Sequence, residues 1–279
     1  MIKKHKIFSW VVTKNCNYSC SYCIAGTGKE KISVNPRDPL KIFDKLRSII
    51  PGEWDVFITG GEPFVTPKFL KLAENIIKAG YKIHLTTNFS APYVEITKFL
   101  DITKGKLIRF NASLHLEHAK MEDFFKKAIF IQDRIGPLFR VTAVATKDGK
   151  NNVKKLAEIG KKFRQKGMKF QLVAQKIYAE PEFIDYTAKE RKSIASFGRT
   201  LGLENPDHRG EKCQAGVSYF ALYPNGDAFR CHQASKETNG YLGNPLKGNF
   251  KLYKNPKPCL YECCSCPIPQ YDQESDVTN

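Results

Sequence analysis

Three thiols stand close together in Cys16-Asn-Tyr-Ser-Cys20-Ser-Tyr-Cys23. This CxxxCxxC spacing lets one short loop hold three irons of a cubane [4Fe-4S] group, leaving the fourth iron without a protein ligand and open to a substrate or cofactor. A structural zinc site would call for a fourth Cys or His, commonly from paired CxxC units, and nothing nearby supplies one. Six more of the nine cysteines lie between residues 213 and 266. Cys213 and Cys231 bracket a stretch that reads as a hairpin turning at Pro224-Asn225-Gly226-Asp227, and Asn-Gly supplies the positive φ values of a tight turn. Downstream, Cys259, Cys263, Cys264 and Cys266 offer thiols near one point. Two from the hairpin and two from the tail make a closed four-thiolate site. Cys263 and Cys266 form a CxxC chelating pair and are the expected tail ligands, with Cys259 and Cys264 spare. A zinc ribbon is the competing account of these four thiols.

The elements that must position these residues follow from periodicity. Strands are expected at 7–13, 54–59, 81–87, 106–115, 140–146 and 168–175. Helices are expected near 38–50, 67–79, 92–99, 118–134, 150–166 and 187–200, an alternation that builds βα units around a parallel sheet. Gly52, Gly80, Gly105, Gly136 and Gly167 each fall just before a strand, where a helix ends on a left-handed residue. In the fourth strand Arg109, Asn111, Ser113 and His115 share one side, and Ile108, Phe110, Ala112 and Leu114 the other. His84 and Thr86 in the third strand, and Gln171 and Gln175 in the sixth, repeat the pattern. An open sheet covered on both faces would read as continuous apolar runs. One polar face points to a barrel or partial barrel with a polar lumen. The cysteine loop directly follows strand one, and Gly60-Gly61-Glu62-Pro63 directly follows strand two, at the ends where ligand loops gather in parallel α/β folds.

The cysteine triplet after strand one, with aromatic Tyr22 before its last member, resembles the signature of the radical S-adenosylmethionine (radical SAM) enzymes. Gly60, Gly61 and Glu62 resemble that family's GGE motif at the methionine amino group of the cofactor. Glycine lets backbone approach closely and a carboxylate accepts from an ammonium. The resemblance implies an α/β fold, a partial (β/α)6 TIM-like barrel over 1–200, with a small irregular Cys-rich C-terminal domain over 201–279 that contains the hairpin. The C-terminal thiols are similar to SPASM/Twitch extensions, which implies one auxiliary [4Fe-4S] cluster on Cys213, Cys231, Cys263 and Cys266. Ser113, Thr86, Asn88 and Arg140 are the further cofactor-binding residues the resemblance suggests. The implied reaction is reductive cleavage of S-adenosylmethionine to a 5′-deoxyadenosyl radical that takes hydrogen from a substrate. An oxidation or other radical transformation follows, the cofactor carrying the chemistry and the barrel the orientation. Maturation of a peptide, or epimerisation with a spare Cys as hydrogen donor, is a variant of this reading.

Composition bounds the alternatives. The chain has 279 residues, 42% hydrophobic and 26% charged, which excludes disordered and collagen-like classes and leaves no run long enough to span a membrane. The N-terminus lacks a secretory h-region and reads as cytoplasmic, a reducing location in which cysteines serve as metal ligands more readily than as disulfides. The net charge of +17 is carried mostly by scattered Lys on helical faces, which argues against a nucleic-acid patch. It favours an acidic reductant such as flavodoxin or ferredoxin, or an anionic substrate. Strand one begins near residue 7 and leaves no room for an N-terminal peptide-binding domain, so a small molecule, or a peptide brought by another protein, is the expected substrate. An iron–sulfur electron carrier and a zinc-dependent nucleic-acid binder are the non-enzyme readings, and the six-strand pattern with GGEP speaks against both.

Overall fold

A computed structural model describes residues 6–23, 37–50, 52–147, 149–175, 184–198, 203, 207–234, 236 and 239–261. Six parallel strands, β1 (Ile7–Thr13), β2 (Asp55–Gly60), β3 (Lys82–Thr87), β4 (Leu107–Ser113), β5 (Phe139–Ala145) and β6 (Lys169–Ala174), lie side by side in chain order. They alternate with α1 (Pro39–Ile49), α2 (Phe69–Lys78), α3 (Tyr93–Ile102), α4 (Met121–Ile135) and α5 (Val153–Gln165), and α6 (Ala188–Ala195) follows β6. The sheet curls without pairing β6 to β1, so the expected partial barrel is the architecture found. Observed bounds fall within one to three residues of the expected ones except at the end of α6, which stops at Ala195 rather than near residue 200. The five glycines before strands all take positive φ, for example 87° at Gly80 and 72° at Gly167.

Side-chain alternation sorts the sheet into two faces. Phe8, Trp10, Val56, Ile83, Phe110, Val141 and Phe170 point to the helices and are buried with Phe43, Phe99 and Phe163 in one aromatic-rich core. Each such side chain contributes about 1.5–3 kcal/mol on burial, so this layer carries most of the fold's stability. The opposite, inner face is polar as expected. Thr142 Oγ1 donates to Asn111 Oδ1 at 2.6 Å, Arg140 Nη1 donates to Gln171 Oε1 at 3.1 Å, and His84 Nε2 meets Asp55 Oδ2 at 3.3 Å. Helix starts are capped by side chains: Asp38 accepts from Leu40 N, Asn152 from Lys155 N, and Thr187 with Glu190 forms a capping box.

Five short strands follow: β7 (Lys212–Cys213), β8 (Tyr219–Leu222), β9 (Ala228–Phe229), β10 (Tyr241–Gly243) and β11 (Lys257–Pro258). The hairpin expected at the Asn-Gly turn is β8 with β9, antiparallel. Its first strand lies parallel to β1, Ile7 opposite Tyr219 and Trp10 opposite Leu222, so the hairpin and the barrel share one nine-stranded sheet. Phe220 stacks on Phe8 at 5.0 Å across this junction. No described helix is long and apolar enough to cross a membrane.

Candidate functional site

The root of the cysteine loop is set by two glycines. Gly61 N donates to Thr13 O at 2.7 Å and Glu62 N to Asn15 O at 2.8 Å, which stitches the turn after β2 to the chain leaving β1. A Cβ on Gly60 would stand 2.3 Å from Thr13 O, and one on Gly61 1.9 Å from Asn15 O. The close approach these glycines permit is therefore that of the cysteine loop's own backbone.

Glu62 is wholly buried, yet its carboxylate is fully engaged. One oxygen accepts from Phe64 N (3.0 Å) and Thr87 Oγ1 (2.7 Å), the other from Asn88 N (2.6 Å). Burial raises its pKa against the pull of these three donors. The carboxylate thereby joins the turns after β2 and β3. The next residue, Phe89, sits at φ 64°, a left-handed conformation uncommon outside glycine and asparagine. Its ring is buried against Phe110, Phe124 and Phe139, and Lys127 Nζ donates to the carbonyls of Phe89 (3.0 Å) and Ala91 (2.8 Å). This bend turns the Asn88 amide toward the loop, where it donates to Asn17 Oδ1 at 2.8 Å and to Cys16 Sγ at 3.7 Å.

The far side of the loop is held by the segments after β4 and β5. Asn151 Nδ2 donates to the Tyr22 hydroxyl at 2.8 Å, leaving the phenolic proton for His115 Nδ1, also at 2.8 Å. Burial lowers the His115 pKa to about 4, so its ring is neutral and can accept. Glu117 accepts from Ser21 N at 2.8 Å and from the Ser21 hydroxyl. His118 accepts from Ser19 N at 3.3 Å and stacks on Tyr18 at 4.6 Å. Sequence reasoning placed His115 only on the polar face of the fourth strand and did not single out Glu117, His118 or Asn151. The signal available was the run His115-Leu-Glu-His118, polar and ionisable groups at the end of a strand where ligand loops gather.

Cys16, Cys20 and Cys23 are thus presented by a loop clamped at both ends. Cys16 Sγ accepts from Tyr18 N at 3.4 Å, and burial pushes the Cys20 thiol up to about 11 despite the Tyr22 hydroxyl beside it. Burial keeps the Cys16 and Cys20 thiols protonated until a metal's charge ionises them, and the Tyr18 N–H aimed at Cys16 Sγ suits a thiolate-bound iron group. Among the described residues no three thiols lie within 4.8 Å of one another, whereas sulfurs on one zinc stand about 3.8 Å apart. Cys20, Glu117 and His118 do fall within 4.8 Å, but the two latter already accept from Ser21 and Ser19. Three thiols presented by one loop are the donor set of an iron–sulfur group.

Thr86 and Ser113 lie on the inner face, in register with Asn111 and Thr142 respectively. Arg140 is the second residue of β5, bonded to Gln171, well before the strand ends that carry the cysteine loop. At the other end of β1, Cys213 and Cys259 are buried with Ile7, Ala215 and Tyr219, and Cys231 packs against them. His232 Nε2 meets Ser9 Oγ at 2.8 Å, and burial lowers its pKa to about 4. Cys263, Cys264 and Cys266 lie outside the described residues.

The family model of the Radical SAM superfamily matches residues 10–179, more than half of the chain. A tungsten-containing aldehyde ferredoxin oxidoreductase cofactor-modifying protein of Pyrococcus furiosus is 23% identical over 189 residues, covering 62% of this chain and 52% of that protein. An AdoMet-dependent heme synthase of Methanosarcina barkeri is 27% identical over 128 residues, 45% and 36% of the two chains. The chain spans about half or less of the length of these curated relatives. Among solved structures, native anSMEcpe with bound AdoMet superimposes with TM-score 0.63 at 16% identity, over 87% of this chain and 78% of that one. Streptococcus suis SuiB, bound to S-adenosylmethionine, gives 0.58 at 16% identity, over 82% and 60%. At these identities the structures speak to the fold alone.

Proposed function

The chain belongs to the radical SAM superfamily, and from that premise we propose that it is an enzyme holding one [4Fe-4S] cluster on Cys16, Cys20 and Cys23 and an auxiliary [4Fe-4S] cluster in its C-terminal part, acting as an oxidoreductase or in a related radical transformation. The observation that carries the reading is the locking of the three-thiol loop onto the Gly60-Gly61-Glu62 turn through Thr13 O and Asn15 O. When bound, the cluster and S-adenosylmethionine supply one-electron cleavage of a sulfonium and a hydrogen-abstracting organic radical.

The chain's own residues hold and orient. Gly60 and Gly61 bring the loop root within reach of the cofactor's amino acid moiety. Glu62, its oxygens committed to Phe64, Thr87 and Asn88, works by fixing the turn's backbone. Tyr22 fixes the loop from the β4 side. Thr86, Asn88 and Ser113 line the inner face toward the strand ends as polar partners for the cofactor. Arg140, lower in the barrel beside Gln171, suits an anionic group of the substrate better than the cofactor. The substrate is a small molecule or a peptide. Among the fold neighbours, SuiB has been solved with precursor peptide SuiA and BtrN with 2-DOIA, so this architecture accommodates both. An acidic one-electron donor such as flavodoxin or ferredoxin in the cytoplasm fits the +17 charge.

Anaerobic reduction of the reconstituted protein with S-adenosylmethionine tests the reading. It should form 5′-deoxyadenosine and hold about eight irons per chain, the content of two cubanes. Cys20→Ala should abolish the product. Zinc in place of iron, or no product from the wild type, would sink the assignment.

A further inference from the structure

We propose that Cys259 completes, with Cys213 and Cys231, a three-thiolate face of the second iron–sulfur centre, and that the buried guanidinium of Arg230 is the counter-charge of that centre. The inference rests on reading the C-terminal thiols as an auxiliary cluster, and it replaces one of the two tail ligands that the CxxC spacing suggests.

The backbone brings the thiols together. In the ribbon of β7 and β11, Lys257 lies opposite Cys213. The chain then stays extended, Cys259 N donating to Glu211 O at 2.8 Å and Cys259 O accepting from Gly210 N at 3.0 Å. Cys259 thus directly follows the strand paired with Cys213, and the two thiols enter one buried cluster. Both are buried, at 6% and 4% exposure, in a small apolar cluster apart from the main core, and Cys231 packs on the same cluster. Ala215 N donates to Cys213 Sγ at 3.4 Å.

Buried cysteines alone can serve as small hydrophobes. Arg230 argues otherwise. It is 4% exposed, its Nη1 donates to Pro258 O (2.9 Å) and its Nη2 to Lys257 O (3.2 Å). These bonds tie the residue before Cys231 to the two residues before Cys259. Its Nε is buried without a partner, and among the described residues no carboxylate pairs with it. A buried full charge with neither ion pair nor complete hydrogen bonding is costly. Three thiolates on a 2+ cubane already carry net negative charge, which supplies what the guanidinium lacks.

Iron content and EPR of the anaerobically reconstituted full chain decide the matter. Cys259→Ser should fall from about eight irons to about four, as Cys213→Ser does, and lose the second cluster's signal while the first still responds to S-adenosylmethionine. Cys259→Ser with eight irons and both signals overturns the inference while leaving the auxiliary cluster standing. A wild type with four irons overturns both. If the variant does not fold, the wild type answers. As a chelator strips iron, Cys259 should become alkylated in step with Cys213 and Cys231, and labelling of Cys259 indifferent to iron overturns its assignment. Arg230→Gln should move the second cluster's midpoint potential to more negative values, and an unchanged potential refutes the counter-charge.

Discussion

Replacing Glu62 by Gln separates two roles for this carboxylate. If it fixes the turns after β2 and β3, as its three donors indicate, the change must weaken the folded protein before any cofactor binds. A Gln oxygen placed toward Phe64 N and Thr87 Oγ1 keeps those two bonds, but its NH2 then faces Asn88 N, which donates to the carboxylate at 2.6 Å. One charge-assisted bond, about 1.5–3 kcal/mol, is lost, and a buried N–H is left without an acceptor at a further ~1–3 kcal/mol. A neutral amide is easier to bury than a carboxylate whose pKa burial already raises, which returns part of that loss. The net expectation is ~2–3 kcal/mol, a fall of roughly 4–12 °C in the unfolding midpoint of a chain of this size. Thermal and urea unfolding without iron or S-adenosylmethionine measure it. A midpoint within 1 °C or so of wild type, together with weakened S-adenosylmethionine binding, would refute the clamp and restore Glu62 as the direct acceptor of the cofactor's ammonium.

Three other outcomes follow from the same site. Tyr22→Phe removes the hydroxyl shared by His115 and Asn151 and should cost about 1–3 kcal/mol in urea unfolding. Gly61→Ala places a methyl 1.9 Å from Asn15 O, so the loop root must shift; 5′-deoxyadenosine formation should drop on the order of 100-fold, read by chromatography of quenched reactions. His115 is neutral in the fold with its pKa lowered to about 4 by burial. The unfolded chain therefore binds one more proton between about pH 6.5 and 4, and the contribution of this site to stability is complete above that window and lost through it, ~3 kcal/mol in all. Urea midpoints from pH 7 to 4 should fall more steeply for wild type than for His115→Gln; parallel profiles would contradict it.

Much of the barrel is legible in the sequence because its signals are local. Period-two alternation in 107–113 marks both a strand and a polar face, and glycines such as Gly80 and Gly167 mark the strand entries. β4 ends at Ser113 rather than at His115 because His115 turns aside to accept from Tyr22, a contact 93 residues away in sequence. The left-handed bend at Phe89 carries no sequence mark, since it is held by Lys127 and three distant phenylalanines. The pairing of β8 with β1 is equally silent, and β7 and β11 are too short to show periodicity. That is why Cys259 reads as a spare thiol in the sequence and lies beside Cys213 in the structure.

The parallel pairing of Ile7 with Tyr219 joins residues more than 200 positions apart. Local βα units can form as the chain grows, but one rim of β1 keeps its amides and carbonyls unclaimed until residues 219–222 arrive. Such late long-range closure is slow and leaves an open strand rim to self-association in the meantime. The strand that ends in the first three thiols is therefore finished by the segment that carries the second set. A chain cut before residue 219 should aggregate through that rim.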